Sequence, residues 1–447
     1  MQEDTIVALA TPLGNAGISV VRLSGSKSLE IATSFFSTKK LINNPIQPRY
    51  MYLGDINTDS LKEKCLMVYF KNPNSYTGED VVEFQCHGGT YICNKIIDLC
   101  LQYGARLATA GEFTKRAFVN GKVSLDEAEG VVDLINAQTA SEVKASYDLV
   151  NGGLFKTVKS LQKQLTDIMA EIEVNLDYPE HDIEYQTEQQ IEVKLNSIKN
   201  TLQTLASTED QGRIIKDGIN VTILGKPNVG KSSLLNALLN YERAIVTDIA
   251  GTTRDTLQES FVYKDTKINI TDTAGVHESD DVVEKIGIQK ALDQINQADI
   301  VLLLLDGSRE LSKEDKENIK LVQDKKVIVV INKTDLPNKL ETINLPTLSV
   351  SAKTGVGIEE LKQKILDSVL DKDFVKNDIV LTNKRHLVAV KQALEIIDNA
   401  IQNIYNVSLD CTALDVKSVW FKLGEITGET TDEDIIDAIF SKFCLGK

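Results

Sequence analysis

Gly225-Lys226-Pro227-Asn228-Val229-Gly230-Lys231-Ser232-Ser233 follows an apolar run, Val221-Thr222-Ile223-Leu224, that reads as a buried strand, and precedes Leu234-Leu235-Asn236-Ala237-Leu238-Leu239, which reads as a helix. A bound triphosphate calls for strand, glycine turn and helix, because backbone N–H groups converging at a helix N-terminus meet closely spaced negative oxygens. Gly225 and Gly230 permit the turn, Lys231 can reach the β- and γ-phosphates, and the Ser232 hydroxyl can ligate Mg²⁺. A glycine turn that only tightens a strand-helix junction would look the same in isolation. Three later segments decide between the two.

Asp272-Thr273-Ala274-Gly275 ends a second β-like run, Lys267 to Thr271, so a carboxylate can sit beside the Mg²⁺ shell while the Gly275 N–H faces the γ-phosphate. Asn332-Lys333-Thr334-Asp335 follows the apolar strand Val327 to Ile331. A carboxylate there can accept from both N1–H and the exocyclic amine of guanine, a pattern adenine does not present. Ser351-Ala352-Lys353, after the strand-like Thr347 to Val350, supplies the third wall of a guanine pocket. Four motifs in this order, each at a strand end, define a guanine-nucleotide-binding domain with GTP rather than ATP as ligand.

The 447 residues suffice for about three domains. The net charge of −16 gives no general attraction to nucleic acid, so RNA contact would need a local basic patch or a partner, and DNA is not expected. The longest relevant apolar run, Ile300 to Leu305, is a core strand rather than a membrane span, and Met1-Gln2-Glu3-Asp4 lacks the basic start of a signal peptide, so a cytoplasmic protein is expected. The six cysteines show no CxxC spacing; Cys86, Cys93 and Cys100 read as buried thiols.

Residues 1–120 mix β-like runs (Ile6 to Ala10, Ile18 to Leu23, Cys65 to Phe70, Val81 to Gln85) with one helix, Tyr91 to Tyr103, which describes an α+β domain. Beyond Leu125 the period changes. Leu154, Val158, Leu161, Leu165, Ile168, Ile172 and Leu176 line one face of a long helix that Asp177-Tyr178-Pro179-Glu180 breaks, and Ile191, Leu195, Ile198, Leu202 and Leu205 resume it. After the nucleotide domain, Leu387, Leu394, Ile397, Ile401 and Ile404 form another apolar face, and the last forty residues also read as helical. These sticky faces predict one helical bundle built from both flanks, residues 121–215 and 372–447, with the P-loop GTPase (Ras-like) domain inserted at 216–371.

The motifs resemble those of the MnmE (TrmE) family of tRNA modification GTPases over essentially the whole length. They include Asp4-Thr5-Ile6-Val7-Ala8, Thr77-Gly78-Glu79-Asp80, His87-Gly88-Gly89 and Gly111-Glu112-Phe113-Thr114-Lys115-Arg116-Ala117-Phe118. The P-loop, Gly251-Thr252-Thr253-Arg254-Asp255, Leu423-Gly424-Glu425-Ile426-Thr427-Gly428-Glu429 and Phe443-Cys444-Leu445-Gly446-Lys447 complete the set. The resemblance implies an α/β multidomain protein whose N-terminal domain binds folate and dimerises. It implies a homodimer that joins the FAD-carrying flavoprotein MnmG in a heterotetramer. That assembly would place a carboxymethylaminomethyl or aminomethyl group at C5 of the wobble uridine of certain tRNAs, using a one-carbon unit from a tetrahydrofolate derivative (5,10-methylene or 5-formyl).

Where many small G proteins carry a water-orienting Gln after Asp-x-x-Gly, this chain has Val276. By resemblance to potassium-activated GTPases, Asn228 with Thr247, Ile249 and Thr252 would hold K⁺ against the phosphates, although Asn228 also suits a turn that caps its own loop. Thr253 would complete the Mg²⁺ shell with Ser232, and Glu284 would orient the water, its bland alternative being a solvated helix charge. The nucleotide-binding set implied is Asn228, Val229, Gly230, Lys231, Ser232, Ser233, Thr247 to Thr253 (with Asp248, Ala250 and Gly251), Asp272 to Gly275, Asn332, Lys333, Asp335, Ser351, Ala352 and Lys353. Arg22, Glu83, Lys122 and Lys447 match folate-contacting positions; each could equally be a surface charge. Cys444 has two readings, a buried thiol or a participant near the folate in the modification chemistry. His277, Asn15-Ala16 and Leu445 depart from the family pattern. A ribosome-assembly or regulatory GTPase is the rival, distinguished by a second G domain or basic RNA-binding module, or by lack of folate binding.

Overall fold

The computed structural model describes residues 4–38, 45–177, 188–240, 258–272, 293–340, 343, 345–370 and 379–447. Two compact units emerge, one drawn from residues 1–135, 147–200 and 389–447, the other from 136–146 and 201–388.

In the first unit, β1 (Ile6–Leu9), β2 (Ala16–Ser24), β3 (Phe36–Ser37), β4 (Met51–Asn57), β5 (Lys62–Phe70), β6 (Val81–Gly88) and β7 (Arg106–Leu107) form a sheet in the order β3-β4-β5-β6-β2-β1-β7. Only the β1 and β7 pair is parallel among these neighbours. Alternation of side chains sends Val21, Leu23, Phe84, Cys86 and the helix residues Ile31, Cys93, Ile96 and Cys100 into one core, and Ile6, Ala8, Ala108 and Phe113 into another. Residues between the apolar ones on β2 and β6 therefore share the second face, and the register sets Arg22 directly opposite Glu83. Burial pushes the thiols of Cys65 and Cys86 up to about 12, so they are protonated packing groups.

The same unit holds a helical part. Leu154, Val158, Leu161, Leu165, Ile168 and Ile172 of the helix Gly153–Asp177 are buried as their spacing predicts. The helix Leu409–Thr427 packs along it, with Gln162 Nε2 donating to the Trp420 carbonyl at 3.4 Å. Lys199 pairs with Asp398 at 2.6 Å across the helices Glu188–Ala206 and Lys384–Asn403. Helices from both sides of the nucleotide domain thus share one bundle.

Two expectations need correction. Among the described residues the N-terminal region has three helices rather than one, Ser28–Phe35 and Glu112–Val119 joining Thr90–Gln102. Glu112–Val119 escapes a periodicity reading because Glu112, Thr114 and Arg116 are buried beside Phe113 and Ala117. On Lys384–Asn403 the buried line is Val390, Ala393, Ile397 and Ala400, continued by Ile404 just past its end, while Leu387, Leu394 and Ile401 are half-buried at its margin. Ala393 and Ala400 complete the line between Val390, Ile397 and Ile404, and a reading of the large aliphatic residues alone passes over them.

The second unit contains β8 (Ile219–Leu224), β9 (Gln258–Tyr263), β10 (Thr266–Asp272), β11 (Ile300–Asp306), β12 (Val327–Asn332) and β13 (Thr347–Ser349) in the order β13-β12-β11-β8-β10-β9. The pairings are parallel except for edge strand β9. In such a sheet ligands bind beyond the carboxyl ends of the strands, and here those ends lead into the P-loop, Asp272 and Asn332.

The β9–β10 turn, Lys264-Asp265, has both residues left-handed (φ 44° and 64°). It delivers the Asp265 carboxylate to the start of the helix Ala140–Val150, where it accepts from Ala140 N at 2.5 Å, Ser141 N at 2.9 Å and Ser141 Oγ at 2.6 Å. Asp265→Ala is expected to lose this cap and about 1 kcal/mol of stability, visible as an earlier urea midpoint, while Asp265→Asn retains part of it.

Candidate functional site

The P-loop leaves β8 and enters the helix Lys231–Asn240, so its N–H groups and the helix start face one cleft. Asn228 (φ 66°) and Gly230 (φ 101°) are both left-handed. At Gly230 a side chain is excluded twice, by φ and by the Asn332 amide lying where a Cβ would go. Asn332 Nδ2 donates to the Val229 carbonyl at 2.9 Å, and Ala352 N donates to Asn332 Oδ1 at 3.0 Å, so one buried asparagine ties the P-loop to the Ser351-Ala352-Lys353 wall.

A cavity of about 420 Å³ is lined by Pro227, Asn228, Gly230, Lys231, Ser232, Ser233 and Lys333. Lys231 is buried, its Nζ donating to the carbonyls of Gly225 and Lys226, and burial holds its pKa below the usual lysine range against the pull of Asp272 and Glu314. An ammonium held by two loop carbonyls is a charge waiting for phosphate oxygens. Ser232 is exposed at the helix start, where a hydroxyl can reach Mg²⁺. At the base end, Ser351 Oγ donates to Asp335 Oδ1 at 2.7 Å, and that hydrogen bond first, then a backbone N–H and more weakly the charges of Lys353 and Lys333, hold the carboxyl below its ordinary range. This donor set suits a guanine nucleotide with Mg²⁺. Thr247 to Thr253, Thr273 to Gly275, Val276, His277 and Glu284 lie outside the described residues.

The second candidate site lies in the other unit. Arg22 Nε donates to Glu83 Oε1 at 2.7 Å, and the guanidinium stands 5.6 Å from the ring centre of Tyr76 and 5.7 Å from that of Phe113. Residues 444–447 fold onto this face: Gly111 N donates to the Cys444 carbonyl at 3.4 Å, Phe113 N to Lys447 O at 3.2 Å, and Arg22 Nη1 to Gly446 O at 3.4 Å. Lys447 is half-buried, and burial followed by the charge of Arg22 lowers its pKa while Cys444 works the other way. Arg22, Glu83, Cys444 and Lys447 are thereby brought together. Lys122 is exposed at one side, its chain over Gly78. Cys444 is exposed, which overturns its reading as a buried thiol: Phe443 and Gly446 turn inward and leave the thiol outside. Glu83 is paired with Arg22 rather than a free surface charge, one oxygen oriented by the guanidinium. A carboxylate, basic groups and two aromatic rings in one place suit a pterin with an anionic tail.

Tyr76 and Phe113 were not singled out as site residues by spacing, since each reads as ordinary apolar surface; only their place in or beside the family motifs hints at more. The same is true of an ion network around them. Arg116 donates to Asp4 Oδ1 at 2.8 Å, to Glu79 at 3.2 Å and to Glu112 at 3.0 Å, while Arg106 takes Glu112 and Asp4 at 2.5 Å each. Burial works to raise the Glu112 carboxyl, but Arg106, the Thr109 N–H and Arg116 bring it to about 2. Because this pKa is depressed on folding, the stabilisation is present above the unfolded value and lost as pH falls through the folded one. Acid titration followed by circular dichroism should therefore show the N-terminal sheet weakening between about pH 4.5 and 2, and Glu112→Gln should remove that component.

Fold and site define the class: a P-loop GTPase with a separate α+β domain and a helical bundle. Family-level matches agree, "GTP-binding protein TrmE N-terminus" over residues 5–122 and "MnmE helical domain" over 125–444. The protein called tRNA modification GTPase MnmE from Clostridioides difficile (strain 630) is 41% identical, the alignment covering 100% of this chain and 99% of that one. Its namesake from Alkaliphilus metalliredigens (strain QYMF) is likewise 41% identical, with the same coverage. The chain belongs to the MnmE family. Among solved structures, Era of Aquifex aeolicus is 27% identical over 40% of this chain and 66% of its own, with a TM-score of 0.27 that carries no weight alone. No helix among the described residues is long and apolar enough to cross a membrane.

Proposed function

We propose that this chain hydrolyses GTP and, with the flavoprotein MnmG, modifies C5 of the wobble uridine of certain tRNAs by a carboxymethylaminomethyl or aminomethyl group. The observation that carries this reading is likeness to proteins named tRNA modification GTPase MnmE across the full length, both units included. Lys231 and the helix start bind the phosphates, Ser232 with Thr253 would hold Mg²⁺ with Asp272 beside its shell, and Asn228 with Thr247, Ile249 and Thr252 would hold K⁺. When bound, these cations supply positive charge to oxygens whose negative charge grows during hydrolysis. Asp335 and Ser351 orient the base, and Glu284 orients the attacking water.

In the other unit, Glu83 meets the hydrogen-bonding edge of a pterin, Arg22, Lys122 and Lys447 bind the anionic part of a tetrahydrofolate derivative, and Cys444 stands beside them. That folate supplies the one-carbon unit. The protein works as a homodimer in the cytoplasm and forms a heterotetramer with MnmG, whose FAD it does not itself bind. Conformational change driven by GTP turnover gates the chemistry.

The test is to digest tRNA from a deletion strain and measure wobble uridines by mass spectrometry, with complementation by the wild type and by Cys444→Ser. Loss of the C5 substituent, restored by the wild type alone, supports the reading and puts Cys444 in the chemistry. Unaltered wobble uridines in the deletion strain would refute it.

A further inference from the structure

Asp306 ends β11, directly opposite Asn332 of β12 in the register, and its side chain is almost fully buried. A buried carboxylate needs partners, and this one has four donor contacts: Lys333 Nζ at 2.6 Å, Arg309 Nε at 2.7 Å, Ser308 Oγ at 2.6 Å and Ser308 N at 3.0 Å. The partner that matters is Lys333. Its ammonium also donates to the carbonyl of Asn228 in the P-loop at 3.1 Å, and Lys333 and Asn228 are both left-handed residues other than glycine (φ 65° and 66°). Such conformations persist only where neighbours over-determine them. One ammonium, fixed by one buried carboxylate, reaches across from the guanine motif to hold the P-loop residue proposed to ligate K⁺.

We infer that Asp306 is a positioning residue for hydrolysis, which through Lys333 sets the conformation of Asn228 and so couples the guanine pocket to the potassium site. The inference rests on the potassium reading given above. Asp335 and Ser351, which face the base, make no hydrogen bond to Asp306, so the Ser351–Asp335 hydrogen bond survives its substitution. In Asp306→Asn the amide presents a donor towards an ammonium or guanidinium, Lys333 Nζ loses its anchor, and the Asn228 carbonyl loses its donor.

The experiment titrates GTP turnover with K⁺ at saturating GTP and measures GDP affinity in Na⁺ alone. Half-saturating K⁺ should rise about tenfold in Asp306→Asn, within the range for coupled sites, with GDP affinity changed less than about threefold. Asp306→Ala, which removes the carboxylate without adding a donor, should reproduce the K⁺ shift, and stands in if Asp306→Asn does not fold. Equal factors in both measurements would mean a general slackening of the domain and overturn the coupling, as would an unchanged K⁺ response. A wild-type protein indifferent to K⁺ against Na⁺ would instead refute the potassium reading itself, and the coupling with it.

Discussion

Asp335→Asn is expected to lower GTP affinity about 10⁴-fold and to transfer preference to xanthosine triphosphate. The effect is large because the carboxylate is the only group proposed to accept from both N1–H and the exocyclic amine of guanine. An asparagine amide turns its donor to the amine, leaving two buried donors facing each other on binding. Xanthine replaces that amine by a carbonyl, which the amide can meet. Ser351 Oγ, which donates to Asp335 Oδ1, can donate equally to an asparagine oxygen, so the pocket wall stays in place. Competition of GTP and xanthosine triphosphate against a fluorescent GDP reads both changes. An undiminished preference for GTP in the variant would remove Asp335 from base recognition.

Gly446→Ala should abolish most wobble-uridine modification while GTP hydrolysis stays within about twofold, because the nucleotide cleft lies in the other unit. Gly446 has φ 88°, and an added Cβ would land on the Leu9 carbonyl oxygen, backbone of a paired strand that cannot step aside. The tail must therefore lift. With it go the Gly446 carbonyl from Arg22, the Lys447 carbonyl from Phe113 N, and the placement of Cys444 and Lys447. Displacement of a reacting group by about 1 Å can cost 10²-fold in rate, and a lifted tail moves further. Mass spectrometry of tRNA from the complemented deletion strain, beside phosphate release by the purified variant, separates the two activities. Parallel loss of both would point to global misfolding instead of an undocked tail.

The nucleotide site was legible because its parts are local. Each motif is a contiguous segment at the end of an apolar strand, and a parallel sheet gathers strand ends whatever the rest of the chain does. The observed strands β8, β10, β11 and β12 extend the expected runs by only a residue or two. The spacing of Leu154 to Ile172 specified its buried face in the same local way. On Lys384–Asn403 spacing was less sufficient, since alanines and larger aliphatic residues compete for the contact line and the neighbouring helix chooses.

What the sequence determined by itself was thus the P-loop, the guanine motifs, the buried thiols and the long amphipathic helices, since backbone geometry and hydrophobic period act within a few residues. Only the tertiary structure decided that Arg22 pairs with Glu83, that Tyr76 and Phe113 flank the guanidinium, that residues 444–447 close over them with Cys444 outward, and that Asp306 anchors Lys333. Those contacts join segments separated by tens to hundreds of residues. Strand register, a polar helix face buried by ion pairing, and a glycine that lets two backbones touch bring them together, and none of these leaves a periodic trace in the chain.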